Sequence, residues 1–381
     1  MMIDYLEIRS GETRDLLGII DDFQSVIWKT EYYGVGEFEI YTVANAKTLS
    51  LLQLNNLVTR RNDINCGVIN NIEITDSLQS GKMIVAKGQF AKSFLNRRII
   101  YKFVDTYSVT AQILSGNVAD ACWNLINNNC GTGAPENRRF PKFGKGQMKD
   151  LPAIIVDENG NPAEKQVTYD YLLDYTDSFL QEYKYGSYIY LDDESESFLY
   201  IIYSGKDRSR GNQSGNKPLI FSEEFDNLSS SSYLYTDESY KTTAIIGGQG
   251  EGLERFVTKK GDSLTGYNRR EMFVDANRIS KTVKTEDDTE IVYSDAEYSE
   301  MLVQEANEKL ENNKKVESFS GVLDLSSQRL KFGLTNDYYV GDLITIEDKS
   351  IGKSLKARIL SATEVQDENG YNIDIEYESD R

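Results

Sequence analysis

From residue 3 to residue 90 the apolar side chains fall into short alternating runs separated by polar or glycine-containing turns, and none of the runs has a helical period. Ile3, Tyr5 and Ile8 open the first. Others cover 19–28, 36–42, 57–61, 67–75 and 82–88, with Ile69, Ile72 and Ile74 in the fifth of these six and a turn near Gly81. A period of two sends successive side chains to opposite faces of a strand. Short strands that follow one another without helices between them pair as neighbours, so this segment predicts a small antiparallel barrel or sandwich.

The period changes further on. Ser108 is a candidate N-cap, and Val109, Ile113, Val118, Cys122, Leu125 and Ile126 recur at near-helical spacing, predicting a helix over 108–130. Residues 131–150 are glycine-rich and basic (Arg138, Arg139, Lys142, Lys145, Lys149) and read as an exposed loop. A second helix is expected from about Thr168, with Leu172, Tyr175, Phe179 and Tyr183 on one stripe, followed by strands over 187–191 and 198–203. The polar stretch 206–217 marks a boundary. Strands resume at 219–221 and 241–247. Ser294 and Glu297 form a capping box for a third helix over 295–312, whose apolar face carries Tyr298, Met301, Leu302 and Leu310. Strands over 317–325, 342–347, 357–365 and 371–377 end the chain.

The fold class expected is therefore mainly β with α+β insertions: two small antiparallel β-barrel-like domains plus inserted helix-containing domains. The domains read as 1–103, a first barrel; 104–217, an inserted α+β domain; 218–250 with 316–381, a second barrel; and 251–315, a strand and helix insertion. An internal echo supports two related barrels. Leu57-Val58-Thr59 is matched by Leu343-Ile344-Thr345, Ile72-Glu73-Ile74 loosely by Thr363-Glu364-Val365, and Gly81 with Ile84 and Val85 by Gly370 with Ile373 and Ile375. Any two β-meanders share such features, so chance similarity is the competing account.

Composition narrows the function. The 381 residues suit about two to four domains at roughly 100–200 residues each. Tyr is abundant, with 25 residues, and suits strands and contact surfaces because an apolar ring ends in a polar tip. The net charge of −19 disfavours binding to phosphate backbones and anionic membranes. Such a surface serves plain solubility or lets nucleic acid pass without sticking. Histidine is absent, which removes imidazole bases, Ser–His–Asp and Cys–His chemistry and the commonest zinc ligand. Cys66, Cys122 and Cys130 form no disulfide framework. On one helix, Cys122 and Cys130 stand about 12 Å apart, beyond the roughly 7 Å limit for a bridge, so the three read as buried thiols of a protein made in a reducing cytoplasm. No signal peptide and no membrane-spanning segment is expected.

Motifs that invite chemistry each have a plainer account. Gly247-Gly248-Gln249-Gly250-Glu251-Gly252 lacks the third glycine of a dinucleotide loop, since Arg255 stands there, and reads as a flexible loop. Asp367, Asn369, Asn372, Asp374 and Glu376 resemble calcium ligands, but the loop glycine is missing, and a hairpin with Asn369-Gly370 as its turn fits better. The pairs Asp192-Asp193 and Asp287-Asp288 could serve a glycosidase only if burial raised one pKa. The serine run 229–232 has no base to activate it. The tyrosine-rich tract 169–203 could hold carbohydrate, although helix and strand packing explains it. The expectation is no enzyme, no catalytic residue, no metal and no cofactor.

Further residues carry a resemblance. Trp28, Tyr33-Gly34-Val35-Gly36, Glu37-Phe38-Glu39 and Arg97-Arg98-Ile99-Ile100 resemble the opening barrel of siphophage tail hub proteins. These are the tail-associated (Tal-like) proteins, related to the baseplate central hub of contractile phages. Tyr203-Ser204-Gly205-Lys206-Asp207, Phe221-Ser222-Glu223, Asn227-Leu228, Gly247-Gly248 and Arg270-Glu271 with Phe273-Val274-Asp275-Ala276 fit the same order. So does Tyr338-Tyr339-Val340-Gly341-Asp342-Leu343, at the start of the second barrel. The structural positions it singles out are Trp28, Gly34, Gly36, Phe38, Arg97, Arg98, Gly205, Asp207, Arg270, Glu271, Asp275, Gly341 and Asp342.

The resemblance implies a homotrimer in which two barrels per subunit make a pseudo-hexameric ring. That ring closes the tail tube and adapts its six-fold symmetry to a three-fold tip. It implies contacts with a hexameric distal tail protein or tail tube protein, the C-terminus of the tape measure protein, and receptor-binding or fibre proteins. DNA passes through without specific binding. The location implied is the tail tip of the virion, after assembly in the host bacterial cytoplasm. The chain ends at Arg381 just after the second barrel, so it is expected to lack the lytic or receptor-binding extension of many relatives. A host cell-wall carbohydrate-binding tip module and a glycosidase are the alternatives.

Overall fold

A computed structural model describes the chain except residues 1–2, 78–80, 149–150, 158–160, 226–229, 262, 285–289, 324–330, 335 and 380–381. Lys149, Asn227-Leu228, Ser229, Asp287-Asp288 and the last residues of the strand expected over 317–325 lie outside the described residues. The chain forms two compact units, Met1–Ser232 with Phe319–Arg381, and Tyr233–Ser318.

The larger unit opens with β1 (Leu6–Arg9), β2 (Leu16–Ile20), β3 (Phe23–Glu31), β4 (Glu37–Val43), α1 (Ala46–Leu51), β5 (Leu57–Arg60), β6 (Gly67–Ser77) and β7 (Gly81–Phe90). The strands pair in the order β3-β4-β7-β6-β5-β1-β2. Side chains from all of them meet in one core: Leu6, Ile20, Trp28, Phe38, Val58, Ile69, Ile84 and Phe90 are buried together, so the sheet curls on itself. The run 19–28 is two strands rather than one, because Asp21 and Asp22 are exposed and end β2. The Trp28 ring lies 4.8 Å from Phe90 and 5.8 Å from Phe38. Gly36 has φ +76°, and a Cβ there would strike the Lys29 carbonyl and the Phe90 ring, so this turn requires glycine.

An α+β segment follows, with β8 (Gln112–Ser115), α2 (Val118–Cys130), β9 (Phe143–Lys145), β10 (Glu164–Val167), α3 (Leu172–Glu182), β11 (Gly186–Asp192) and β12 (Ser197–Tyr203). The first helix starts ten residues later than the apolar period suggests. Gly116 (φ +76°) breaks the chain, and the Asn117 side chain caps the helix by accepting from the Asp120 amide. The second begins at Leu172 rather than near Thr168, because Tyr169 sits at φ +64°. Leu114, Val118, Cys122, Leu125, Leu172, Phe179, Tyr200 and Ile202 share its core. The basic stretch 131–150 is not wholly exposed. Arg138 is buried, donates to the Ile99 carbonyl at 2.5 Å and lies over the Tyr101 ring.

Next come β13 (Ile220–Phe221) and β14 (Ser230–Thr236). The smaller unit contains β15 (Thr243–Gly247), β16 (Val257–Lys260), β17 (Glu271–Asp275) and α4 (Asp295–Asn312). Of residues 241–247, expected with the second barrel, 243–247 here form β15, which pairs with β16 and β17. The capping box of α4 is formed as the sequence predicts, with Ser294 and Glu297 each accepting from the other's amide. Ala244, Ile246, Val274, Tyr298, Leu302 and Ala306 make this core. The glycine run 247–252 bends around Arg255 and Tyr298. Arg255 donates to the carbonyls of Gly247 and Gly248, and a Cβ on Gly248 would press on the Tyr298 hydroxyl.

The chain closes with β18 (Val316–Leu323), β19 (Leu343–Asp348), β20 (Lys353–Asp367) and β21 (Gly370–Ser379). The last two make the expected hairpin, with its turn one residue earlier than read: Asp367 pairs with Gly370 across Glu368 and Asn369. Tyr338, Phe221 and Tyr377 pack ring against ring beneath it. Among the described residues no helix is long and apolar enough to cross a membrane.

Cys66, Cys122 and Cys130 are free and buried, and burial pushes each thiol up to about 12. Unfolded thiols titrate near 9. The stability they lend is therefore complete below pH 9 and is lost as pH rises from there toward 12. We expect no reaction with a thiol-specific disulfide reagent at pH 8 in the native protein and three equivalents after unfolding in urea. Rapid native labelling would contradict this burial.

Candidate functional site

The point of most chemical interest is the joint between the two barrels. β20 is 15 residues long; β21 runs along one of its edges, and its other edge serves two partners in turn. Its first half pairs with β19, and residues 361–366 pair antiparallel with 26–31 of β3. A bulge between Ile359 and Ser361 makes the change possible. Ile359 exchanges hydrogen bonds with Gly341 and Asp342, while the Leu360 carbonyl accepts from the Tyr32 amide at 2.7 Å.

Side chains secure this joint. Arg60, at the end of β5, makes a two-pronged ion pair with Glu364 of β20, and its Nε donates to Asp63 at 2.6 Å. The guanidinium lies 4.9 Å from the centre of the Trp28 ring. Tyr371 donates its hydroxyl to Glu364. Burial opposes the Arg60 charge, but Asp63 and Glu364 outweigh it and raise its pKa. Gln366 grips the main chain of Ile3, accepting from its amide at 2.6 Å and donating to its carbonyl at 3.1 Å.

A second cluster holds the α+β segment to the same joint. Gly341 has φ +92° and a Cβ there would strike the Tyr32 ring, while a Cβ on Gly205 would collide with the Gly341 carbonyl. Asp342 is buried and accepts from the Lys206 amide at 2.7 Å and from Arg208 Nε at 2.9 Å. Asp207 accepts from Ser209 and Lys356. Arg358 donates to the Gly341 carbonyl. Tyr32 donates to the Lys184 carbonyl and accepts from the Gly205 amide. Burial pushes Tyr203 and Tyr339 well above the usual phenol range.

The motif positions thus fall into groups. Gly205, Asp207, Gly341 and Asp342 come together here, whereas Trp28 lies in the first cluster, against Arg60. Gly36 and Phe38 lie in the first-barrel core, and Gly34 packs on the Glu31 side chain. Arg97 and Arg98 stack on Phe94 and Phe140. Arg270 pairs with Asp237, Glu271 with Arg269 and Asp275 with Arg255, all in the smaller unit. Sequence reading missed Tyr32, Arg60, Asp63, Glu364 and Tyr371. One signal was present: Glu364 occupies an inward position of an alternating strand, where a carboxylate needs a partner.

The two barrels repeat one another in register. Val68 pairs with Leu57 as Arg358 pairs with Leu343. The bulge between Ile69 and Asn71 on β6 has its counterpart between Ile359 and Ser361 on β20. Ile69 exchanges hydrogen bonds with Asn55 and Asn56 as Ile359 does with Gly341 and Asp342. Asn55 and Gly341 both have positive φ, +66° and +92°. On the other side β4 and β18 hold equivalent places, Ile40 facing Ala86 and Gly321 facing Ile375. The copies differ beyond β5 and β19, where β1 is antiparallel to β5 but β13 is parallel to β19.

Other candidate sites turn to structural use. Asp192 accepts from the Ser195 amide and hydroxyl, which holds its carboxyl below the usual range, the opposite of what a general acid needs. Asp193 pairs with Arg9 at 3.2 Å. In the tyrosine-rich tract, Tyr175 stacks on Phe179, and Tyr185 and Tyr200 are buried, whereas Tyr169 and Tyr171 are exposed.

A family model described as Siphovirus ReqiPepy6 Gp37-like protein matches residues 5–377. No curated protein sequence matches the chain. Among solved structures, the 43 kDa tail protein of prophage MuSo2 from Shewanella oneidensis is 9% identical, with a TM-score of 0.58 over 98% of each chain. A tail protein from Neisseria meningitidis is 10% identical, with a TM-score of 0.55 over 99% of this chain and 96% of that one. Prophage tail protein gp18 from Listeria monocytogenes is 11% identical, with a TM-score of 0.50 over 98% and 94%.

Removing one member of a buried pair strands the other charge. Arg60→Met is expected to lower stability by about 3–5 kcal/mol, and adding Glu364→Leu to recover part of that loss, since Asp63 is still left without its arginine. Urea unfolding of both variants checks it; equal destabilisation by the single and double substitutions would mean that the pair does not couple the barrels.

Proposed function

The chain belongs to the Siphovirus ReqiPepy6 Gp37-like family and is a phage tail protein, and from this we propose that it is the structural hub of the tail tip. Three copies form a ring of six similar barrels that closes the tail tube. The observation that carries this reading is the register match between the two barrels. A six-fold tube docks on a three-fold tip without mismatch only if each tip subunit offers two equivalent surfaces, and β5-β6-β7 with β19-β20-β21 supply such a pair. A second support is charge. With a net charge of −19 the surface repels DNA over a Debye length of about 8 Å, so the genome leaves without adhering.

In this role the upper face of the ring meets a hexameric distal tail or tube protein. The lower face carries receptor-binding or fibre proteins, and the tape measure protein ends at the lumen. The function is scaffolding rather than catalysis.

Electron microscopy of the assembled tip tests this proposal. Six barrels at one radius around a three-fold axis, with an acidic or neutral lumen, are expected. Barrels at two radii, or a strongly basic lumen, would overturn the symmetry-adaptor role. Zymography on peptidoglycan and polysaccharide is expected to give no turnover; cleavage abolished by one carboxylate substitution would refute the purely structural reading.

A further inference from the structure

The cis joint between the barrels leaves a matching pair of strand edges open. β20 has β21 on one side and, on the other, β19 and then β3. Its counterpart β6 has β7 on one side, but on the other only β5, which reaches no farther than Val68 in the ladder. Residues 71–76 of β6 correspond to residues 361–366 of β20, the segment that β3 covers. Among the described residues no strand pairs with them on the side away from β7.

Hydrogen-bond alternation fixes which groups face outward. The bonds from the Phe90 amide to Gly36 and from the Ala44 amide to Lys82 set the alternation of β7 against β4. It follows that Asn71, Glu73 and Thr75 bond to β7, and that the amides of Ile72, Ile74 and Asp76 point to the open side. Ile74 is 55% exposed, whereas its counterpart Glu364 is 3% exposed beneath β3.

Among the described residues the strand equivalent to β3 also has no outer partner. β3 lies outside β4 in the first barrel, and β14 lies outside β18 in the second, as the end of the large sheet. β14 reads Ser-Ser-Ser-Tyr-Leu-Tyr-Thr, with neither charge nor proline to guard an edge, and Leu234 and Tyr235 are exposed.

We infer that β14 of a second copy of this chain pairs with residues 71–76 of β6, repeating in trans the joint that β3 makes with β20 in cis. The contact is head-to-tail, so three copies close a ring of alternating cis and trans joints. This rests on the ring reading above and adds to it the surface by which the subunits recognise one another.

The test uses full-length protein in assembled tails. A benzophenone amino acid at position 74 is expected to cross-link, on irradiation, to a peptide of another copy that contains residues 230–236. Ile74→Lys and Leu234→Lys, at exposed positions, should each lower incorporation into tails by roughly tenfold or more while leaving the melting temperature of the isolated chain unchanged. A three-fold ring by microscopy in which position 74 cross-links elsewhere, or not at all, overturns the edge assignment and leaves the hub reading standing. Absence of any ring in the tails overturns the hub reading itself. Normal incorporation of both variants also refutes the assignment.

Discussion

The pairing of residues 361–366 with 26–31 is the constraint on which the larger unit depends. It makes one sheet of two barrels, and the Arg60–Glu364 pair fits this register. A slip of one residue would turn Glu364 to the opposite face of β20 and part it from Arg60. An ion pair buried this deeply is not a cheap source of stability, since desolvation opposes it. Its effect is to penalise alternatives: any arrangement that separates Arg60 from Asp63 and Glu364 leaves charges buried alone. The face of Trp28 completes the guanidinium's surroundings. Among the described residues the buried indole nitrogen has no hydrogen-bond partner, and Trp28 packs on Phe38, Phe90 and Arg60.

The two barrels share geometry without sharing chemistry. Where the first places Asn55 at positive φ on an exposed corner, the second places Gly341 against the buried ring of Tyr32. Asparagine tolerates the left-handed region in water, but in the second barrel the aromatic ring leaves no room for a Cβ. Likewise Ile74 and Glu364 hold one position in two copies of a strand. One is exposed on an open edge, and the other is covered by a neighbouring strand and paired with an arginine. Divergence of this kind hides a duplication from residue-by-residue comparison and leaves it intact in the ladder, because hydrogen bonding along a strand is made by the backbone.

Local signals account for what was legible in the sequence. α4 begins at Asp295 and ends at Asn312, as read, because Ser294 and Glu297 satisfy its first amides through groups three residues apart. The β-rich class and the strands of both meanders were legible because alternation and glycine turns are short-range; the echo as read sat one residue out of register, setting Glu73 rather than Ile74 against Glu364. So was the resemblance to siphovirus tail proteins, on the order of its motifs. The start of α2 was misread because apolar spacing continues through β8, while Gly116 and Asn117 decide where the helix can begin. The placement of 241–247 was misread because an apolar strand does not say which sheet it will join.

The sequence by itself determined most of the strands, the mainly β class and the want of any imidazole chemistry. Each follows from residue type or from spacing within a few turns of chain. Tertiary structure alone decided that β20 leaves β19 for β3, that Arg60 meets Glu364 across more than three hundred residues, and that Gly205, Gly341 and Asp342 close on Tyr32. Those partners come from segments far apart in the chain, and no local period or propensity encodes which of several similar strand edges will meet; that choice is made by burial, when the edges compete for one another.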